Sequence, residues 1–149
     1  MSKILFLVGM AILLSGCCNI TGGTGGAKGE NLNSCLADCE RNSVGQKGLA
    51  GLGSCKALCY DHEARATGDA AQCDAINSLG NVSMMGEDTS FWFNGCVGDV
   101  AEDKKDVTVC GRLPVGPRRD ACIMNVYYAT KNPSDCDGLS DPREKSVCQ

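Results

Sequence analysis

Aromatic side chains are few: one Trp, three Tyr and three Phe stand among 149 residues. A core filled by large rings is therefore excluded, and something other than ring burial must hold the chain together. Histidine occurs once, at His62, so no cluster of imidazoles can form a metal site. The longest apolar run, Ile4 to Leu14, has eleven residues, about half of what a helix needs to cross a bilayer. Positive charge is in deficit, with 14 Lys and Arg against 18 Asp and Glu and a net charge of −4. That balance disfavours nucleic acid and anionic membrane surfaces as partners and serves solubility. No G-x-S-x-G, no H-E-x-x-H and no phosphate-cradling glycine loop with its lysine occurs, which removes the commonest hydrolase, metalloprotease and nucleotide signatures. Neither C-x-x-C nor C-x-x-C-H is present, so a redox dithiol and a covalent haem are also excluded.

The short apolar run follows a single cation, Lys3, and ends in small residues. A charged start, an apolar segment too short to span and a small-residue cleavage site make a secretory signal. Its last residues, Leu14-Ser15-Gly16-Cys17, resemble the lipobox of prokaryotic lipoproteins. The resemblance implies a diacylglycerol on the Cys17 sulfur, cleavage just before Cys17, and two or three fatty chains such as palmitate at the new amino terminus. It also implies a protein held by lipid on the extracytoplasmic side of the cell membrane or outer membrane, with the membrane itself as its first partner. Several chains give durable attachment, at about 0.8 kcal/mol per buried methylene. Residues 1–16 are then signal peptide, and losing Lys3 takes the net charge from −4 to −5. Residues 17–30, with the glycine-rich stretch from Thr21 to Gly29, read as anchor and tether. Residues 31–149 form the domain proper.

Cysteine is what the chain has in abundance: twelve, all at or after Cys17. An exported protein meets oxidising conditions in which thiols pair. With Cys17 given to lipid and Cys18 lying in the tether, ten remain between Cys35 and Cys148, enough for five bridges. Their spacing recurs. Cys59 to Cys73, Cys96 to Cys110 and Cys122 to Cys136 each enclose thirteen residues, while Cys110 to Cys122 and Cys136 to Cys148 each enclose eleven. Ala66-Thr67-Gly68-Asp69 stands before Cys73 as Ala129-Thr130-Lys131-Asn132 stands before Cys136, and the middle copy keeps Asp106. An aliphatic residue follows three positions after each of these cysteines: Ile76, Leu113 and Leu139. Such a period marks a repeated supersecondary unit.

Helix signals define the unit. Asp69, Asp106 and Asn132 are good N-caps four positions before a cysteine, and Pro133 occupies a favoured first helical position. Pro117-Arg118-Arg119-Asp120 and Ser140-Asp141-Pro142 restart helices that carry Cys122 and Cys148. Helices joined by tight turns place Cys110 against Cys122 and Cys136 against Cys148, and the same logic sets Cys73 against Cys96 across an insertion. Upstream, Cys35-Leu36-Ala37-Asp38-Cys39 and Cys55-Lys56-Ala57-Leu58-Cys59 each put two sulfurs on one helical face. An antiparallel hairpin aligns Cys35 with Cys59 and Cys39 with Cys55. Over roughly residues 33 to 62 this resembles the twin C-x3-C hairpins of several small disulfide-rich families, a resemblance that implies a scaffold and no activity. Gly45, Gly48, Gly51 and Gly53 lie in the connection, so the second helix is expected to start late. Sequence alone does not fix the connectivity: ten cysteines allow about 945 pairings, Cys59–Cys73 and Cys122–Cys136 among the alternatives, and this set of five is an expectation. The fold class expected is all-α, a disulfide-rich set of tandem short helical hairpins, with the twin hairpin over 31–66 and the cysteine-containing helical repeats over 67–149.

Chemistry is harder to find. The two C-x3-C pairs have spacings that could hold zinc, but thiols in an oxidising compartment are spent on bridges, so no metal and no cofactor are expected. His62 lies between Asp61 and Glu63, an arrangement that could serve a small hydrolase as general base; the alternative is a polar residue on an exposed helical face. Between Cys73 and Cys96 the repeat departs from its own rule: twenty-two residues replace eleven and carry Met84-Met85 and Phe91-Trp92-Phe93. Such residues fill small cores and also form partner-binding surfaces. Three consecutive aromatics cannot all face inward on one helix, so at least one must be exposed. The sequence thus points to a non-enzymatic binding or structural module of the cell envelope, with an envelope protein as the possible partner. A hydrolase and an anchored inhibitor or toxin-like peptide are the competing readings.

Overall fold

A computed structural model describes residues 31–43, 51–80 and 89–148, with Asn42 and Ser43 described by backbone alone. Residues 1–30, Met84 and Met85 lie outside the described residues, and with them the lipobox, Cys17, Cys18 and the tether. Among the described residues every regular element is helical and there is no strand. No described helix is long and apolar enough to cross a membrane. The α-helices are α1 (Leu32–Ser43), α2 (Leu52–Thr67), α3 (Asp74–Asn77), α4 (Thr89–Lys104), α5 (Pro117–Thr130) and α6 (Pro142–Val147). Three 3-10 helices separate them, Ala70–Cys73, Val107–Arg112 and Pro133–Gly138.

α1 and α2 form the hairpin, stapled by Cys35–Cys59 and Cys39–Cys55 with Cα atoms 5.8 and 5.7 Å apart. The i, i+4 spacing within each C-x3-C pair is what lets two bridges form side by side. Lys56 of α2 donates to Glu40 of α1 at 2.8 Å and adds an exposed ion pair to the same face. The start of α2 departs from expectation. Gly51 is its N-cap and Gly53 lies inside its first turn, so only part of the glycine-rich stretch is connection. Leu52 and Gly53 join the helix because the residues behind them, through Cys59, offer an uninterrupted run without proline.

Each helix-to-repeat junction is built in the same way. Gly68, Lys105 and Lys131 adopt the left-handed conformation, with φ of 68°, 54° and 57°. This reversal ends a helix and lets the following backbone N–H turn back onto its last carbonyls. Asp69 N–H donates to Ala64 O and Asp106 N–H to Ala101 O, both at 3.0 Å, and Lys131 N–H donates to Tyr127 O at 2.7 Å. Thr67 and Thr130 accept from the Asp69 and Asn132 amides, which gives the repeated Ala-Thr a physical role. The middle copy has Lys104 in place of the threonine, and its Nζ donates to Gly68 O at 2.9 Å, tying two junctions together. Asp69, Asp106 and Asn132 then cap the next segment by accepting from Ala71, Thr108 and Ser134 N–H.

The capped segments are 3-10 helices, a helix type that the capping residues by themselves do not specify. Ile76, Leu113 and Leu139, three places after Cys73, Cys110 and Cys136, lie just past the ends of the 3-10 helices and bury in the same core as those cysteines. Cys73–Cys96, Cys110–Cys122 and Cys136–Cys148 complete the five bridges. These last three bridges, with Ile76, Val97, Val100, Ile123 and Val126, form one core, and Trp92 and Phe93 pack at its edge. α4 runs through the middle, against α2 on one side and α5 on the other. Ala57 and Ala64 of α2 belong to this core too, so α2, which ends at Thr67, packs both against α1 and against the repeats.

Asp120 joins the last two units. It is 3% exposed and accepts from the Ser140 amide at 2.9 Å and from the Ser140 hydroxyl. Burial pushes its carboxyl up, but the hydrogen bonds from Ser140 and from the Asp141 amide outweigh this and hold it below the usual carboxylate range. Replacing Asp120 by Ala removes both bonds from a buried site and should cost about 1–3 kcal/mol. Urea denaturation should show a lower midpoint with an unchanged m value; an unchanged midpoint would show that Ser140 finds water without loss.

Candidate functional site

α4 carries the aromatic run, and successive residues leave a helix about 100° apart. Trp92 and Phe93 turn toward the core while Phe91 is 41% exposed. Phe91 meets Trp92 edge to face with ring centroids 6.1 Å apart, and the Arg118 guanidinium of α5 sits 5.8 Å from the centre of the Phe91 ring. A cation over an aromatic face is held by the ring quadrupole, so Phe91 and Arg118 together build one wall where α4 and α5 meet.

Below that wall lies a cleft of about 160 Å³ between the two helices. Asn94, Gly95, Gly98 and Asp99 line it from α4, and Ala121, Cys122 and Asn125 from α5. Gly95 and Gly98 have ordinary negative φ, and a Cβ on either would meet nothing within 4 Å. Neither backbone conformation nor packing within the chain requires them to be glycine. Their effect is to leave α4 without side chains along the floor of the cleft.

Behind the cleft, Asp99 enters a second group at the seam of α2 and α4. Arg65 of α2 donates to Asp103 at 2.7 Å and lies 3.7 Å from Asp99. Asp61, one turn before Arg65, has a buried Oδ1 with no hydrogen-bond partner. Burial above all, and then the charge of Asp99, push its carboxyl up to about 6, with Arg65 and His62 offsetting part of the rise. Asp99 is likewise raised by burial, against the pull of Arg65. One guanidinium therefore serves three carboxylates.

The residues singled out from the sequence fall in different places. His62 is exposed on α2, Asp61 faces the α4 seam and Glu63 is half-buried. Residues one and two apart on a helix do not face each other, so the three do not converge on one point. The Sγ atoms of Cys35, Cys39 and Cys59 lie within 4.8 Å of one another because they belong to two adjacent bridges. Of the Met and aromatic cluster, Phe91 reaches the cleft, while Trp92 and Phe93 pack against the core. Gly95, Gly98, Asp99, Arg118 and Asn125 were not anticipated. Two glycines three apart inside an otherwise regular helix were the available signal. In comparisons with known proteins, no family model, no curated protein and no solved structure matches the chain.

Glycine inside a helix is less favourable than alanine by about 0.8–1 kcal/mol, so Gly95→Ala and Gly98→Ala should each raise thermal stability. A drop in melting temperature would mean that the floor of the cleft is packed after all. The seam makes a pH prediction of definite sign. Asp61 is ionised in both folded and unfolded chains above pH 6; between about 6 and its ordinary value of 3.8 the folded chain holds its proton more firmly. Stability should rise as pH falls through that window, by on the order of 1 kcal/mol once solvent screening is allowed for. Denaturation of wild type and Asp61→Asn at pH 5 and pH 7 reads this out: the variant should lose the difference, and equal slopes would place the proton elsewhere.

Proposed function

We propose that this chain is a lipid-anchored, extracytoplasmic protein that serves as a small binding or structural module of the cell envelope. The observation that carries the reading is Leu14-Ser15-Gly16-Cys17 at the end of a short apolar run. The cysteine count supports it: five bridges use ten of twelve cysteines, and the two that they do not use are Cys17 and its neighbour Cys18. A cross-linked domain at the end of a tether keeps its shape in an oxidising compartment without a large aromatic core. The cleft between α4 and α5, with a ring, a cation, amides and a carboxylate around a bare backbone floor, suits binding better than turnover. It holds no nucleophile beside a base, which is the arrangement covalent hydrolysis requires.

Intact mass of the native protein, with and without reduction, tests this reading. The expected mass lacks residues 1–16, carries the acyl chains on residue 17, and rises by two hydrogens for each of five bridges on reduction. A mass that retains residues 1–16 and carries no lipid would overturn it.

A further inference from the structure

The cleft between α4 and α5 has opposite charges at its two ends. Arg118 stands at the Phe91 end, held over the ring at 5.8 Å, and Asp99 closes the other. Phe91 and Asp99 are eight residues apart on α4, about 12 Å of helix rise. An extended peptide of three to four residues spans at most about 10–14 Å, which matches that separation. Asn94 and Asn125 also line the cleft, and each offers both a donor and an acceptor, the pair that a peptide unit needs on its two sides. Gly95 and Gly98 leave the α4 backbone open to close approach, although a side chain at either position would fit. A volume of about 160 Å³ is below the roughly 300–1,000 Å³ of sites that enclose a whole cofactor, so the occupant is slender and partly open to solvent.

We propose that this cleft binds a short peptide with free ends, its carboxylate on Arg118 and its ammonium on Asp99. This inference rests on the binding-module reading above and names its ligand class. The guanidinium suits a carboxylate through paired N–H donors, and the partly exposed Phe91 beside it borders the place of the last side chain of the peptide. Asp99, half-buried and in contact with Arg65 at 3.7 Å on its far side, gains a second counter-charge when the ammonium arrives. The same carboxylate repels phosphate and sulfate groups, which turns away nucleotides and other polyanions.

L-trialanine is the probe, titrated into the full chain in detergent micelles. Two signals report on it: the fluorescence of Trp92, the chain's single tryptophan and the neighbour of Phe91, and the amide resonances of Gly95 and Gly98. Saturable changes in both are expected. Amidating the carboxyl end, acetylating the amino end, Arg118→Gln and Gly98→Leu should each weaken binding by about ten-fold or more, with melting curves showing that both variants fold. Failure to saturate, equal affinity for the amidated peptide, or full affinity in Arg118→Gln would overturn the proposal. Equal affinity for the acetylated peptide would also overturn it, in favour of the carboxyl-terminal tail of a larger chain. Lipid on residue 17 is read separately by mass, so loss of peptide binding with lipid present defeats this inference alone, and peptide binding without lipid defeats the anchor alone.

Discussion

Five disulfides are the constraint on which the rest of this structure depends. Each one crosses between helices that are close in sequence, with separations of 12 to 24 residues. Closing loops of that size removes on the order of 3 kcal/mol of unfolded-state freedom per bridge. Helices of four and six residues, such as α3 and α6, could not persist in water by propensity alone. The bridges also stand in for missing aromatic bulk: Cys73, Cys96, Cys110, Cys122, Cys136 and Cys148 are all buried and belong to the apolar core itself.

Around each of the three bridges that follow the hairpin, the backbone follows one recipe. A helix stops at a left-handed residue, an Asp or Asn caps a 3-10 helix, and an aliphatic residue one turn later drops into the core beside the cysteine. Gly68 meets the left-handed requirement without strain, whereas Lys105 and Lys131 meet it with a side chain in place. Lys131 gains a compensation, since its Nζ lies 5.0 Å from the centre of the Tyr128 ring and 5.9 Å from that of Tyr127. Units built in this way add along the chain, and polar contacts lock neighbours together: Lys104 to the Gly68 carbonyl, Asp120 to Ser140.

α4 is the element on which scaffold and candidate site meet. One face supplies Cys96, Val97, Val100 and Ala101 to the core. Another presents Asp99 and Asp103 to Arg65 of α2, and a third leaves Gly95 and Gly98 bare toward α5. The helix can give up side chains on that third face because the Cys73–Cys96 bridge and its buried valines already hold it in place. A rigid covalent frame thus allows an open cleft in a domain with little core to spare, and the same economy tolerates an unpartnered carboxylate oxygen on Asp61 at the seam.

Much of the frame was legible in the residues themselves. The five disulfides are the ones expected from setting neighbouring helices face to face, and helix starts followed from Asp69, Asp106, Asn132 and Pro133, because caps and loop closure act over short stretches of chain. The exposure of one member of Phe91-Trp92-Phe93 followed from helical periodicity, though not which one. Helix type escaped, since a cap such as Asp69 or Asn132 marks where a helix starts and not whether it continues as 3-10 or α. The gathering of Asp61, Asp99 and Asp103 around Arg65, and the cleft that joins Phe91 and Arg118 across two helices, were invisible for a related reason. By itself the sequence determined a helical, disulfide-rich fold whose cysteines recur along the chain. Tertiary structure alone decided which faces of α4 are buried, paired or left open, because those depend on where α2 and α5 cross it, and no local pattern records that crossing.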